Sequence, residues 1–125
     1  MVIAEDFVLI QENIRKAIEP YCEVVSVVED GAGALEAVAT HAPDILLLDV
    51  SLPDLNGFAV VEKLLEAKTA VRVIFLTAYG TQDYIDRAFE LGAKGYILKG
   101  RIWTELAEAL RVVASGGTYR PRPTP

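Results

Sequence analysis

Residues 44–57 read DILLLDVSLPDLNG. The four apolar residues 45–48 show no polar alternation, the pattern of a central parallel strand covered on both faces. The run ends directly in Asp49, and Pro53, Asp54, Asn56 and Gly57 then supply loop chemistry. Beyond the loop, Phe58, Val61, Leu64 and Leu65 recur at helical spacing and predict the inward stripe of a helix. A strand buried on both faces needs helices above and below it, so this stretch alone predicts an α/β fold.

The same strand-then-helix unit repeats to either side. Upstream, residues 2–4 (VIA) form a short strand, and Ile10, Ile14, Ala17 and Ile18 mark a helix that Pro20 stops. The β-branched run at 22–28 is a second strand, followed after Asp30-Gly31 by a helix with Leu35, Val38 and Ala39 on its inner face, ending before Pro43. Downstream, a strand at 71–76 leads to Thr77, and a helix at about 82–91 closes on Leu91-Gly92. A fifth strand at 95–98 runs into Lys99. The last helix spans about 102–114, with Trp103, Leu106, Ala107, Leu110 and Val113 inward and Gly116-Gly117 as terminator. Five such units with right-handed crossovers make a doubly wound parallel sheet. Residues 1–117 are expected to be one domain, and 118–125, ending RPRPTP, a Pro-rich tail or the start of a linker.

Composition narrows the function. The chain has 125 residues, 52% hydrophobic and 24% charged, enough for one self-supporting core. Its formal charge of −6 argues against direct nucleic-acid binding by this domain. The single cysteine, Cys22, excludes an intramolecular disulfide and reads as a small strand hydrophobe. No apolar run approaches the roughly 18 residues of a membrane span. Glu5 and Asp6 interrupt the N-terminal region where a secretory signal would be apolar, so a cytoplasmic location is expected. His41 reads as a helix-end residue, and Trp103 as a packing residue.

Doubly wound sheets place their working site at the carboxyl ends of the strands. There the sequence sets Glu5-Asp6 after strand one, Asp49 after strand three, Thr77 after strand four and Lys99 after strand five. Each has an ordinary reading as a cap, turn or surface residue. Together, three carboxylates at one sheet edge repel one another unless a cation is present. All-oxygen ligation suits Mg²⁺. Beside such an ion Asp49 is a candidate nucleophile toward phosphorus, with Lys99 neutralising a phosphoryl oxygen and the Thr77 hydroxyl donating to another.

These residues resemble the response-regulator receiver domain of two-component signalling over essentially the whole chain. The matching pieces are Glu5-Asp6, Asp49 within LLLDVSLPDLNG, Thr77-Ala78 after VIFL, and Lys99 after KGYIL. The resemblance implies a flavodoxin-like (βα)5 fold of strand order 2-1-3-4-5. It also implies phosphorylation of Asp49 by a sensor histidine kinase or phosphotransfer protein, without the turnover of an enzyme. The implied Mg²⁺ ligands are Asp6, Asp49 and the backbone carbonyl of Ser51, with Glu5 acting through water. Thr77 and Tyr96 are the implied switch pair, and the face of the fourth helix, fifth strand and fifth helix the implied output surface. Ser51 and Tyr79 stand where receivers tune phosphoryl lifetime. Gly100 departs from the proline common after the lysine. The ending ASGGTYRP is similar to receivers that precede a LuxR-type helix-turn-helix domain, so the implied forms are a receiver whose DNA-binding output domain lies outside this sequence and a stand-alone receiver that works by docking, and a phosphorylation-dependent homodimer is the further implied partner.

Three rival readings compete with this one. A phosphatase of the haloacid-dehalogenase type needs a second Asp two residues after the nucleophile, where Ser51 stands. A flavin binder of the same topology needs a phosphate-cradling loop after strand one, where EDFVLI stands. A pseudo-receiver that binds partners without phosphorylation remains the alternative.

Overall fold

The computed structural model describes residues 1–121, so the last four residues of the expected tail, 122–125, lie outside the described residues. The elements alternate as β1 (Val2–Ala4), α1 (Val8–Ile18), β2 (Ser26–Val28), α2 (Gly31–His41), β3 (Ile45–Asp49), α3 (Gly57–Glu66), β4 (Arg72–Thr77), α4 (Gln82–Glu90), β5 (Gly95–Leu98) and α5 (Ile102–Ala114), with a 3₁₀ turn at Lys99–Arg101. The five strands are parallel in the order β2-β1-β3-β4-β5, as expected.

The pleat divides the core in two. On β3, Leu46 and Leu48 join Phe75, Tyr96 and the apolar faces of α2, α3 and α4. Ile45 and Leu47 point the other way, to Ile3, Ile74, Leu76 and Ile97 and the faces of α1 and α5. All five residues of β3 are buried, which is why its sequence shows no alternation.

Several expected details are corrected. The second strand covers only Ser26–Val28, because its partner β1 offers three residues, Val2 to Ala4, to pair with. Cys22 therefore lies ahead of the strand, half-buried against the α1 and α5 core, where burial pushes its thiol above the ordinary value. The inward stripe of α5 is Ile102, Leu106, Ala109, Leu110 and Val113, so Ala107 faces out and Trp103 is 64% exposed. In α3, Val60 completes the stripe and Leu65, on the last turn, is exposed. In α2 the buried residues are Ala34, Ala37 and Val38, with Ala39 exposed. The glycine terminators hold: Gly92 and Gly116 have φ of +94° and +97°.

Candidate functional site

Each chain segment that builds the site leaves the same edge of the sheet. β1 delivers Glu5, 1% exposed, and then Asp6 into solvent. Asp49, 2% exposed, is the last residue of β3. Thr77 ends β4 and is fully buried, and Lys99 opens the 3₁₀ turn directly after β5.

One carboxylate oxygen each from Glu5, Asp6 and Asp49 lies within 4.8 Å of the others. The Lys99 Nζ sits 2.7 Å from Glu5 Oε1 and 2.9 Å from Asp49 Oδ2. Asp49 Oδ1 accepts the Ser51 backbone N–H at 3.0 Å, which orients the carboxylate and draws the β3–α3 loop against it. Gln11 Nε2 donates to the Glu5 carbonyl at 2.6 Å, bracing the turn after β1. Glu5 Oε2 accepts a long bond from Phe7 N at 3.4 Å. Glu5 Oε1 is buried and makes no well-directed hydrogen bond, and the Lys99 ammonium pairs with it at 2.7 Å.

Electrostatics follow from this crowding. Burial pushes the Glu5 carboxyl up to about 7; Lys99 pulls it down, but the neighbouring Asp49 adds to the rise. Burial works against the Lys99 ammonium, yet the Glu5 and Asp49 carboxylates outweigh it and hold its pKa above the ordinary value. One cation thus bridges two carboxylates, with a third close by. This oxygen-rich, anionic cluster with a poorly satisfied buried oxygen fits a divalent cation of the hard, oxygen-seeking kind.

The other expected residues are placed around it. The Thr77 hydroxyl accepts the Tyr79 N–H at 3.1 Å. Tyr96 is fully buried, and its hydroxyl donates to the Tyr79 carbonyl. Burial pushes the Tyr96 phenol up to about 12, with Tyr84 adding to the rise and Thr77 opposing it. The backbone of Tyr79 therefore joins the two expected switch residues, a junction the sequence did not reveal. The Tyr79 ring stacks on Tyr84 with centroids 5.0 Å apart. Gly100 lies in the turn with Lys99, and a β-carbon there would meet nothing within 4 Å.

Asp54, read from the sequence only as a loop residue, clamps the start of α2. Its carboxylate accepts Gly31 N at 2.6 Å and Ala32 N at 3.0 Å, and those bonds hold its pKa below the ordinary carboxylate value. Asp30 caps the same helix through Gly33 N. The Asp30-Gly31 pair was the available signal for a helix start, but nothing in the sequence connects it to residue 54.

The family model described as the response regulator receiver domain matches residues 1–111. The chain is 36% identical over 121 residues to the transcriptional regulatory protein DegU of Brevibacillus brevis, covering 95% of this chain and 51% of that one. It is 33% identical over 122 residues to the oxygen regulatory protein NreC of Staphylococcus carnosus, covering 95% and 56%. It thus spans about half the length of the curated relatives it matches. Among solved structures, the signal receiver domain of NarL from Mycobacterium tuberculosis superposes with a TM-score of 0.85 at 31% identity, over 92% of this chain and 94% of that one. The non-phosphorylated receiver domain of RcsB from Escherichia coli gives 0.90 at 24% identity over 97% and 96%, a likeness of fold.

Proposed function

Because the chain belongs to the response regulator receiver domain family, we propose that it accepts a phosphoryl group on Asp49 from a histidine kinase or phosphotransfer protein. The observation that carries this reading is the placement of the Asp49 carboxylate: at the sheet edge, 2.9 Å from Lys99 Nζ and grouped with Glu5 and Asp6. Glu5, Asp6, Asp49 and the Ser51 backbone carbonyl would hold Mg²⁺, with Glu5 acting through water. Bound there, the ion would supply charge neutralisation for the carboxylates and the incoming phosphoryl oxygens.

In the transfer, an Asp49 carboxylate oxygen attacks phosphorus while the phosphorus–nitrogen bond of a phosphohistidine breaks, and the electron pair leaves on the imidazole nitrogen. Lys99, kept cationic by its carboxylate neighbours, offsets charge on a phosphoryl oxygen. The Thr77 hydroxyl, whose oxygen accepts from Tyr79 N, would donate its proton to another. The chain is a phosphoacceptor with slow self-dephosphorylation, not a turnover enzyme. Phosphorylation adds charge and acceptor oxygens beside Thr77, and the junction at Tyr79 carries the change to Tyr96. Tyr96 is fully buried, and the signal passes to it by re-pairing at Tyr79. The output is a DNA-binding domain or a second copy docking on the α4, β5 and α5 face, in the cytoplasm.

The test is intact mass after incubation with Mg²⁺ and acetyl phosphate, wild type against Asp49→Asn. A gain of about 80 Da, one phosphoryl group, in wild type alone is expected. No gain in a folded wild-type chain would remove the reading in favour of a phosphorylation-independent docking module.

A further inference from the structure

β5 is the outer strand of the sheet, so its far edge would present unpaired N–H and C=O groups. The chain itself covers that edge. Gly116, in the left-handed region, reverses the direction after α5, and Gly117 N closes the reversal on the Val112 carbonyl. Residues 118–120, expected as tail or linker, then run beside β5. Tyr119 N donates to the Lys94 carbonyl at 2.8 Å and Tyr96 N donates to the Tyr119 carbonyl at 3.1 Å, a parallel bridge to Gly95. The Tyr119 ring is buried, and its hydroxyl donates to Glu105 Oε1 at 2.8 Å. The Arg120 guanidinium lies 4.1 Å over the Phe89 ring of α4. This short segment therefore touches α4, β5 and α5 together.

Two connections lead from it to the strand ends that build the site, one to Thr77 and one to the acidic cluster. One runs through Tyr96, whose N–H holds Tyr119 and whose hydroxyl holds the Tyr79 carbonyl beside Thr77. The other runs through the 3₁₀ turn: Lys99 contacts Glu5 and Asp49, while Arg101, two residues on, pairs with Glu105 at 3.6 Å. Glu105 is the acceptor of the Tyr119 hydroxyl. Both ends of that turn are thus fixed, one to the site and one to the segment.

We propose that docking of residues 118–120 on the β5 edge is coupled to the pairing of Lys99 with Glu5 and Asp49. The segment is then the part of the chain on which a change at Asp49 is read out; this role rests on the phosphoacceptor reading, while the coupling does not. A phosphodonor-free experiment separates them. Amide exchange is followed residue by residue in the full chain for wild type, Lys99→Met and Asp49→Asn, with Leu47 in β3 as internal reference. Lys99→Met releases the turn, and Asp49→Asn removes one of the two carboxylates that hold Lys99. Exchange at Tyr119 should quicken relative to Leu47 by roughly fivefold or more, the lower end of ordinary coupling between sites. Tyr119 exchange unchanged in both variants while they remain folded would overturn the proposal. Failure of Asp49 to gain mass from acetyl phosphate would instead remove the phosphoacceptor reading and leave the coupling standing.

Discussion

Glu5 is a carboxyl whose ionisation opposes the fold. At 1% exposure its carboxyl is pushed from 4.5 to about 7 by burial, against the pull of Lys99. Because the folded value lies above the unfolded one, the folded chain holds more protons between the two, and stability falls as pH rises from about 4.5 to about 7. The displacement corresponds to about 3 kcal/mol. In metal-free buffer, the stability advantage of Glu5→Gln over wild type should therefore grow by about 2–3 kcal/mol between pH 5 and pH 8 in urea unfolding. Parallel pH curves for the two proteins would show that burial of the charge is not what limits wild type. Glu5, Asp49, Thr77 and Lys99 were legible because each closes or directly follows a strand. What each touches was not: the pairing of Lys99 with both Glu5 and Asp49 joins residues 94 and 50 positions apart.

Among the elements, the junction of β3 and α3 is packed backbone against backbone. Gly57 begins α3 and donates its N–H to the Val50 carbonyl. A β-carbon there would lie 2.7 Å from the Asp49 carbonyl oxygen and 2.9 Å from Phe75 Cε1, so backbone would have to yield. Gly57→Ala should cost about 1–3 kcal/mol in denaturant unfolding, by the usual range for overpacking. A loss below a few tenths would mean that the helix start can slide away from Asp49. The existence of the elements was readable from short apolar runs and helical spacing. The phase of α5 was not, because Trp103 and Ile102 are neighbours 100° apart on the helix and either could have faced inward. Docking onto Ile3, Leu47 and Leu76 decided for Ile102.

For the molecule as a whole, convergence of three carboxylates at one edge of the sheet is unfavourable without a counter-ion and is relieved by Lys99 only in part. A cation that binds the folded chain but not the unfolded one should raise its stability by mass action. At a hundredfold excess of Mg²⁺ over its Kd, thermal unfolding should shift up by about 2.7 kcal/mol, on the order of 10 °C for a chain of this size. Asp49→Asn should lose most of that shift, and an equal shift in the variant would place the ion elsewhere. The same scale shows where sequence reading ends. Sequence by itself determined the strands, the helices and the doubly wound topology, because hydrophobic periodicity and glycine or proline punctuation are local properties. It also determined the residues at the strand ends, since a parallel sheet sends every such residue to one edge. Only the tertiary structure decided which of them touch, that Leu65, Trp103 and Ala107 lie outside the buried stripes of α3 and α5, and that Asp54 clamps α2. It alone placed residues 118–120 on β5. Those outcomes depend on pairings across tens of residues, where packing and desolvation select one partner among many that the local sequence permits.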